Sequence, residues 1–546
     1  MRPLFCAVIV GAVAGVPARL SAEPASLAPQ ELARELDASL ACELFGGGKL
    51  GGSAAALAPR ASDATFLRRA WLDIVGDIPT PEHVIAFTLD SSADKRQRAV
   101  RALLADPQYG LNWARYWRDV ILYRRIEERA LIAANALEAD LAQRLNDNIP
   151  WNRIAREFIT ATGDVRDNGV TAIIMAQEGR TEETTAETAR IFLGMQFQCA
   201  QCHDHPYDRW KREQFHELAA FFPRIGVRPV QSATRRSFQV LASDRQFRIA
   251  KSDDGNRPMP EHMMPDLDDP AAPGTEMQPK FFLTGAKLPT GSLDHERREA
   301  LAQWLTENEW FAVALVNRIW AELVGEGFYE PVDDIGPDRQ ARAPATLKLL
   351  ADGFRASGHD VKWIIETICA TEAYQRESRP RDEGPDRVPL AANTPQPLRA
   401  DQLYNALLSA LDATDEEPQR GQARAAYVGR GGSRRMQFGA IFGYDPSEPR
   451  DAIAASIPQA LALMNSPTIA KALRADKPGM LASLLADIPS DDELTAELYL
   501  RMLSRQPTAD ELARACAYIA EVGDRAAAVE DLAWALVNSA EFRYRR

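Results

Sequence analysis

The chain has 546 residues, 46% hydrophobic and 26% charged, a composition ordinary for a globular protein and long enough for two or three domains. Its 64 basic and 77 acidic side chains leave a formal net charge of −13, which argues against a basic nucleic-acid-binding face. The acidity favours solubility and suits a basic partner protein.

The N-terminus reads as a secretory signal. Arg2 precedes an apolar run from Leu4 to Val16, then Pro17 and the small-residue exit Leu20-Ser21-Ala22, with cleavage expected after Ala22. A bilayer span needs about 20 apolar residues, and no later segment is that apolar, so no transmembrane segment is expected after cleavage. The expected location is periplasmic or secreted. Cys6 leaves with the signal. Cys42, Cys199, Cys202, Cys369 and Cys516 remain, too few for a disulfide scaffold in a chain of this length. Cys369 and Cys516 lie in apolar helical patterns and read as inert buried thiols.

Pro29 to Leu44 reads as an amphipathic helix, followed by a loop at Gly46-Gly47-Gly48 and Gly51-Gly52. Helical periodicity resumes at Asp63, with Phe66, Leu67, Ala70, Trp71 and Ile74 on one face. Pro79-Thr80-Pro81 stops that helix and starts the next. Further helices are expected near 94–105, 108–129, 130–147, 150–161, 181–195 and 211–222. Residues 237–241 and 246–250 alternate and predict a small hairpin. Residues 252–280, rich in Pro, Asp and Met, read as an irregular connection. Helices return at His295 and dominate to the C-terminus, with a breaker-rich joint from Pro380 to Pro397. The expected fold is mainly α, with two helical modules joined by a small β-containing, Pro/Met-rich bridge. The expected divisions are a signal at 1–22, a helix and Gly-rich loop at 23–59, a Cys-x-x-Cys-His module at 60–225, the bridge at 226–290 and a partner module at 291–546.

The chemically specific segment is Cys199-Ala200-Gln201-Cys202-His203. Two thiols at this spacing reach the two vinyl groups of a porphyrin, and the adjacent imidazole then meets the iron. Cys199, Cys202 and His203 are therefore the expected ligands of a c-type haem, and export is the setting in which such a haem is attached. Two other readings stay open. Cys199 and Cys202 could form a disulfide. Zinc or iron could instead bind Cys199, Cys202 and His205 with a distant donor such as His216, and His203 and Asp208 are further metal candidates.

The segment from Phe192 through Cys199, Cys202, His203, His205 and Asp208 to Trp210 resembles the hallmark of the planctomycete cytochrome-like family, domain of unknown function 1549. Phe66 to Ile74, Ile78-Pro79-Thr80-Pro81, Asp94-Lys95-Arg96, Tyr109-Gly110 and Trp113 to Asp119 resemble its earlier phrases. Val316-Asn317-Arg318-Ile319-Trp320, Pro331-Val332-Asp333-Asp334, Thr371 to Gln375, Leu398 to Leu403 and Pro458 to Pro467 resemble the domain that usually follows, domain of unknown function 1553. The resemblance implies an exported, haem-bearing helical protein of unestablished biochemistry, often encoded beside systems that degrade carbohydrates or sulfate esters. It also implies a separate redox partner protein or an envelope complex, since relatives often carry an additional cytochrome domain. A non-haem metal-binding or structural module in a polysaccharide-handling complex is the alternative.

On a haem, Met195, His216, Met263 or Met264 could supply the distal ligand, and Asp204 or Asp208 could orient His203. Asp208 also suits the cap of a helix near Lys211. Trp113, Trp117 and Trp320 read as packing. Asp333-Asp334 reads as a solvated acidic turn, with calcium as the rival. The chain lacks a phosphate loop, a nucleophile elbow and a His-Glu-x-x-His helix, which weakens any hydrolase reading.

Overall fold

The computed structural model describes residues 27–45, 57–231, 236–242, 261–380, 388–414, 434–449, 456–464 and 467–546, together with Asp244 and Ile453. The signal segment, the Gly-rich loop and the expected strand at 246–250 lie outside these residues. The fold is mainly α, and no helix among the described residues is long and apolar enough to cross a membrane.

The helices follow from their apolar spacing and their caps. In Asp63–Ile74 the Ser62 hydroxyl accepts the Thr65 N–H at 3.2 Å, and Phe66, Leu67, Ala70 and Ile74 are buried on one side. Helix Pro107–Leu122 is capped by Asp106 and buries Tyr109, Trp113, Tyr116 and Trp117. Trp117 stacks on Trp151 with ring centroids 4.4 Å apart. Each such ring removed from water contributes roughly 1.5–3 kcal/mol. As expected, Trp113 and Trp117 are core residues, and so is Trp320, on helix Glu309–Val324.

Strand β1 (Gly163–Asp164) and strand β2 (Ile225–Gln231) flank strand β3 (Arg236–Ala242) in an antiparallel sheet of order β1-β3-β2. The described partners of the 237–241 segment are thus the preceding strands β1 and β2. Pro229 lies in β2 opposite Phe238, and an edge strand tolerates a residue without an N–H.

The two sequence modules do not form two packing units. One core runs from Phe66 and Trp113 through Phe192 and Phe215 to Trp320, Leu350 and Tyr374. Helix Pro29–Phe45 docks on the second half, burying Leu32, Leu36, Leu40 and Leu44. Its Glu43 accepts the N–H groups of Ala345 and Thr346 at 2.9 and 3.0 Å, capping helix Pro344–Ala356. A second core spans Leu398 to Phe542 and includes Leu72 and Ile78 from the first module.

Candidate functional site

Helix Thr181–Leu193 ends at Gly194, whose φ of 66° is left-handed. The chain then runs through buried Met195 and Phe197 into a short 3-10 turn, Gln198–Gln201. Phe197 stacks on Phe282 at 4.5 Å, and Trp210 meets the same ring edge-on at 5.0 Å. Those aromatic contacts and the buried Ala200 fix the turn to the core. Cys199 and Cys202 stay exposed, each a free thiol.

The His203 ring is exposed, and its Nδ1 lies 2.7 Å from the Asp204 carbonyl. A carbonyl accepts, so Nδ1 carries the proton and Nε2 keeps its lone pair. Asp204 thus orients His203 through its backbone, while its side chain takes a second task. That carboxylate bonds Lys211 at 2.8 Å and accepts the Arg212 N–H at 3.1 Å, at the start of helix Arg212–Ala219. The Lys211 ammonium and the Arg212 N–H hold it below the usual carboxylate range. The cap expected of Asp208 is therefore made by Asp204.

His205 has both ring nitrogens engaged. Nδ1 accepts the Tyr207 N–H at 3.3 Å, which leaves Nε2 to donate to the Gln196 carbonyl at 3.2 Å. This ring pins the loop to itself and would have to give up both bonds to ligate a metal. Asp208 turns towards the second module, where Asp338 is a neighbouring carboxylate. Burial and Asp338 push its carboxyl upward. Among the described residues, no group of three or more His, Cys, Asp or Glu side chains is arranged to hold a metal ion.

His262 escaped the sequence reading. His216 Nε2 lies 3.0 Å from the Gln201 carbonyl, so its Nδ1 accepts from His262 Nε2 at 2.8 Å. This buried imidazole pair ties the Cys-x-x-Cys turn to helix Arg212–Ala219 and to the bridge. Burial keeps both rings neutral, lowering His216 and taking His262 down to about 4, with His216 adding to the effect on His262. His262 is 46 residues from its partner, and no local spacing marks such a pair. With its nitrogens occupied, His216 is also removed from the distal candidates. Met195 is buried, and Met263 is exposed beside His262.

The second module braces the loop from behind. The Ile335 N–H donates to the Gly194 carbonyl at 2.8 Å, and Gln196 Nε2 donates to Asp333 at 3.1 Å. Arg209 Nε meets Asp338 at 2.9 Å. Asp333 is fully buried, with Arg190 at 3.2 Å and Arg318 at 3.7 Å, so the expected solvated turn is half internal. Burial alone would raise its carboxyl, but the guanidiniums of Arg318 and Arg190 prevail and hold it low. Asp334 pairs with Arg339 at 3.1 Å.

Fold and site together define a mainly α protein that presents a Cys-x-x-Cys-His turn on its surface, supported by both halves of the chain. Residues 48–226 match the family model PSCyt2, described as protein of unknown function (DUF1549). Residues 297–519 match PSD1, described as protein of unknown function (DUF1553). The chain thus carries these two domains of unknown function, in this order. No curated protein and no solved structure matches it.

The donor set fits a covalent haem: two exposed thiols three residues apart and, beside them, an imidazole whose Nδ1 is already committed. Zinc or iron at Cys199, Cys202 and His205 fits less well, since that ring is engaged at both nitrogens.

Proposed function

We propose that this chain is an exported electron-transfer protein, in which Cys199 and Cys202 would hold one haem covalently and His203 would bind its iron. The observation that carries the reading is His203, whose Nδ1–H is fixed by the Asp204 carbonyl beside two exposed thiols. When bound, a haem supplies a one-electron couple. The chain's own residues orient the donors. Asp204 sets the tautomer of His203, His216 and His262 restrain the Gln201 carbonyl, and Phe197 anchors the turn. An attachment turn at the surface suits exchange with a separate partner protein in the cell envelope.

The test is a visible spectrum and pyridine haemochrome of the chain exported together with a cytochrome c maturation system. A c-type signal that is lost in Cys202→Ser supports the assignment. A colourless protein with about one zinc or iron per chain would replace it with the metal-binding reading. A colourless, metal-free protein would leave a structural module.

A further inference from the structure

A second polar centre lies behind the loop, on helix Glu309–Val324. Asn317 folds the turn that follows the helix, accepting the Tyr329 N–H at 2.9 Å and donating to the carbonyls of Tyr329 and Val332 at 3.1 and 3.2 Å. Its neighbour Arg318 is 2% exposed, yet neither Nη1 nor Nη2 has a hydrogen-bond partner. The nearest carboxylate recorded for it, Asp333, is 3.7 Å from Nη2, beyond hydrogen-bond reach. Asp333 is itself occupied by Arg190 and Gln196.

Arg318 lines a small open cavity of about 30 Å³, with Tyr116, Glu322, Glu330, Ser447 and Glu448 among its walls. A buried guanidinium with two nitrogens lacking hydrogen bonds is only partly compensated for its lost hydration by Asp333 at 3.7 Å. An oxyanion in the cavity completes that compensation. The walls also select its charge. Glu322 is committed to Arg399 and Glu330 to Arg342, both at 2.8 Å, whereas Glu448 is exposed and adds negative potential. A dianion is therefore penalised relative to a monoanion. A planar carboxylate matches the Nη1/Nη2 edge through two parallel hydrogen bonds.

We propose that this cavity binds a small monoanionic carboxylate on Arg318. The site is independent of whether a haem is attached.

The experiment is thermal unfolding of the full chain titrated with sodium acetate or sodium lactate at fixed ionic strength, with sodium sulfate as the dianionic arm. A saturable rise in melting temperature is expected with the carboxylates. Arg318→Gln should weaken that response by roughly tenfold. Glu448→Gln, at an exposed position, should strengthen it by about twofold to fivefold. Three results would overturn the proposal: no saturable response, an equal response in Arg318→Gln, or a sulfate response exceeding that of the carboxylates. If Arg318→Gln does not fold, Glu448→Gln decides, and an unchanged carboxylate affinity there places the binding elsewhere.

Discussion

A carboxylate with no access to water survives as an anion only when its neighbours outweigh the lost hydration, and Asp401 shows how this chain arranges that. Burial would push its carboxyl up, but Arg399 at 3.2 Å, aided by Arg118 and Arg115, holds it down to about 2. Arg399 also bonds Glu322 at 2.8 Å and the Asn112 side chain, and Gln402 donates to the Leu72 carbonyl at 2.9 Å. The phrase Leu398 to Leu403 was visible in the sequence, but its task was not, because its partners lie far away in the chain, Glu322 by 77 positions, Asn112 by 287 and Leu72 by 330. Asp401 has a folded value below its ordinary 3.8, so its contribution is complete above about pH 4 and is lost as pH falls towards 2. Asp401→Asn is expected to cost about 2 kcal/mol at neutral pH. Urea unfolding of both proteins should show a gap that persists down to about pH 4 and closes below it. A gap independent of pH would mean that the carboxylate does not act as a charge there.

At the scale of elements, periodicity and capping made the helices legible. The expected helix at 94–105 is observed as Lys95–Ala105, and that at 181–195 as Thr181–Leu193. Strand β2 was missed because Gly226 and Pro229 obscure its alternation, and only the pairing with β3 explains their tolerance. The site loop was legible in its candidate ligands but not in its supports. The junction at Gly194 joins the two: it reverses the chain with a left-handed backbone, and its carbonyl receives Ile335. An added Cβ would stand 2.6 Å from Ile335 Cδ1, and the positive φ disfavours any side chain. Gly194→Ala is expected to destabilise by about 1–3 kcal/mol and to loosen the Cys-x-x-Cys turn. Amide hydrogen exchange should accelerate across 195–210 more than in helix Pro107–Leu122. Uniform acceleration in both would argue that Gly194 serves global packing and has no particular hold on the loop.

Across the whole molecule, the sequence suggested two modules and the packing joins them, because hydrophobic periodicity reports which face is buried and not what buries it. Arg545 is one such cross-tie. It is 1% exposed and lies 2.6 Å from Asp73 of the first module and 2.9 Å from Asn393, and it donates to the Leu323 carbonyl at the end of helix Glu309–Val324. Tyr374 donates to the other oxygen of Asp73 at 2.9 Å. Burial already raises the Asp73 carboxyl, and Arg545 is the main opposing influence. Removing one member of a buried pair leaves an uncompensated charge, so Arg545→Met is expected to cost about 3–5 kcal/mol at pH 7. Without the guanidinium, Asp73 rises further and takes up a proton in the folded state that the unfolded chain binds only near its ordinary 3.8. Folding of the variant then gains from acid, and its deficit should shrink as pH falls from 7. Adding Asp73→Asn to Arg545→Met should recover much of the loss at pH 7, because the stranded charge is gone. Urea unfolding of the four proteins at pH 7 and across the acid range completes the cycle. A deficit that grows in acid, or a double variant no better than Arg545→Met, would mean that Arg545 acts through its carbonyl and Asn393 contacts and not through Asp73.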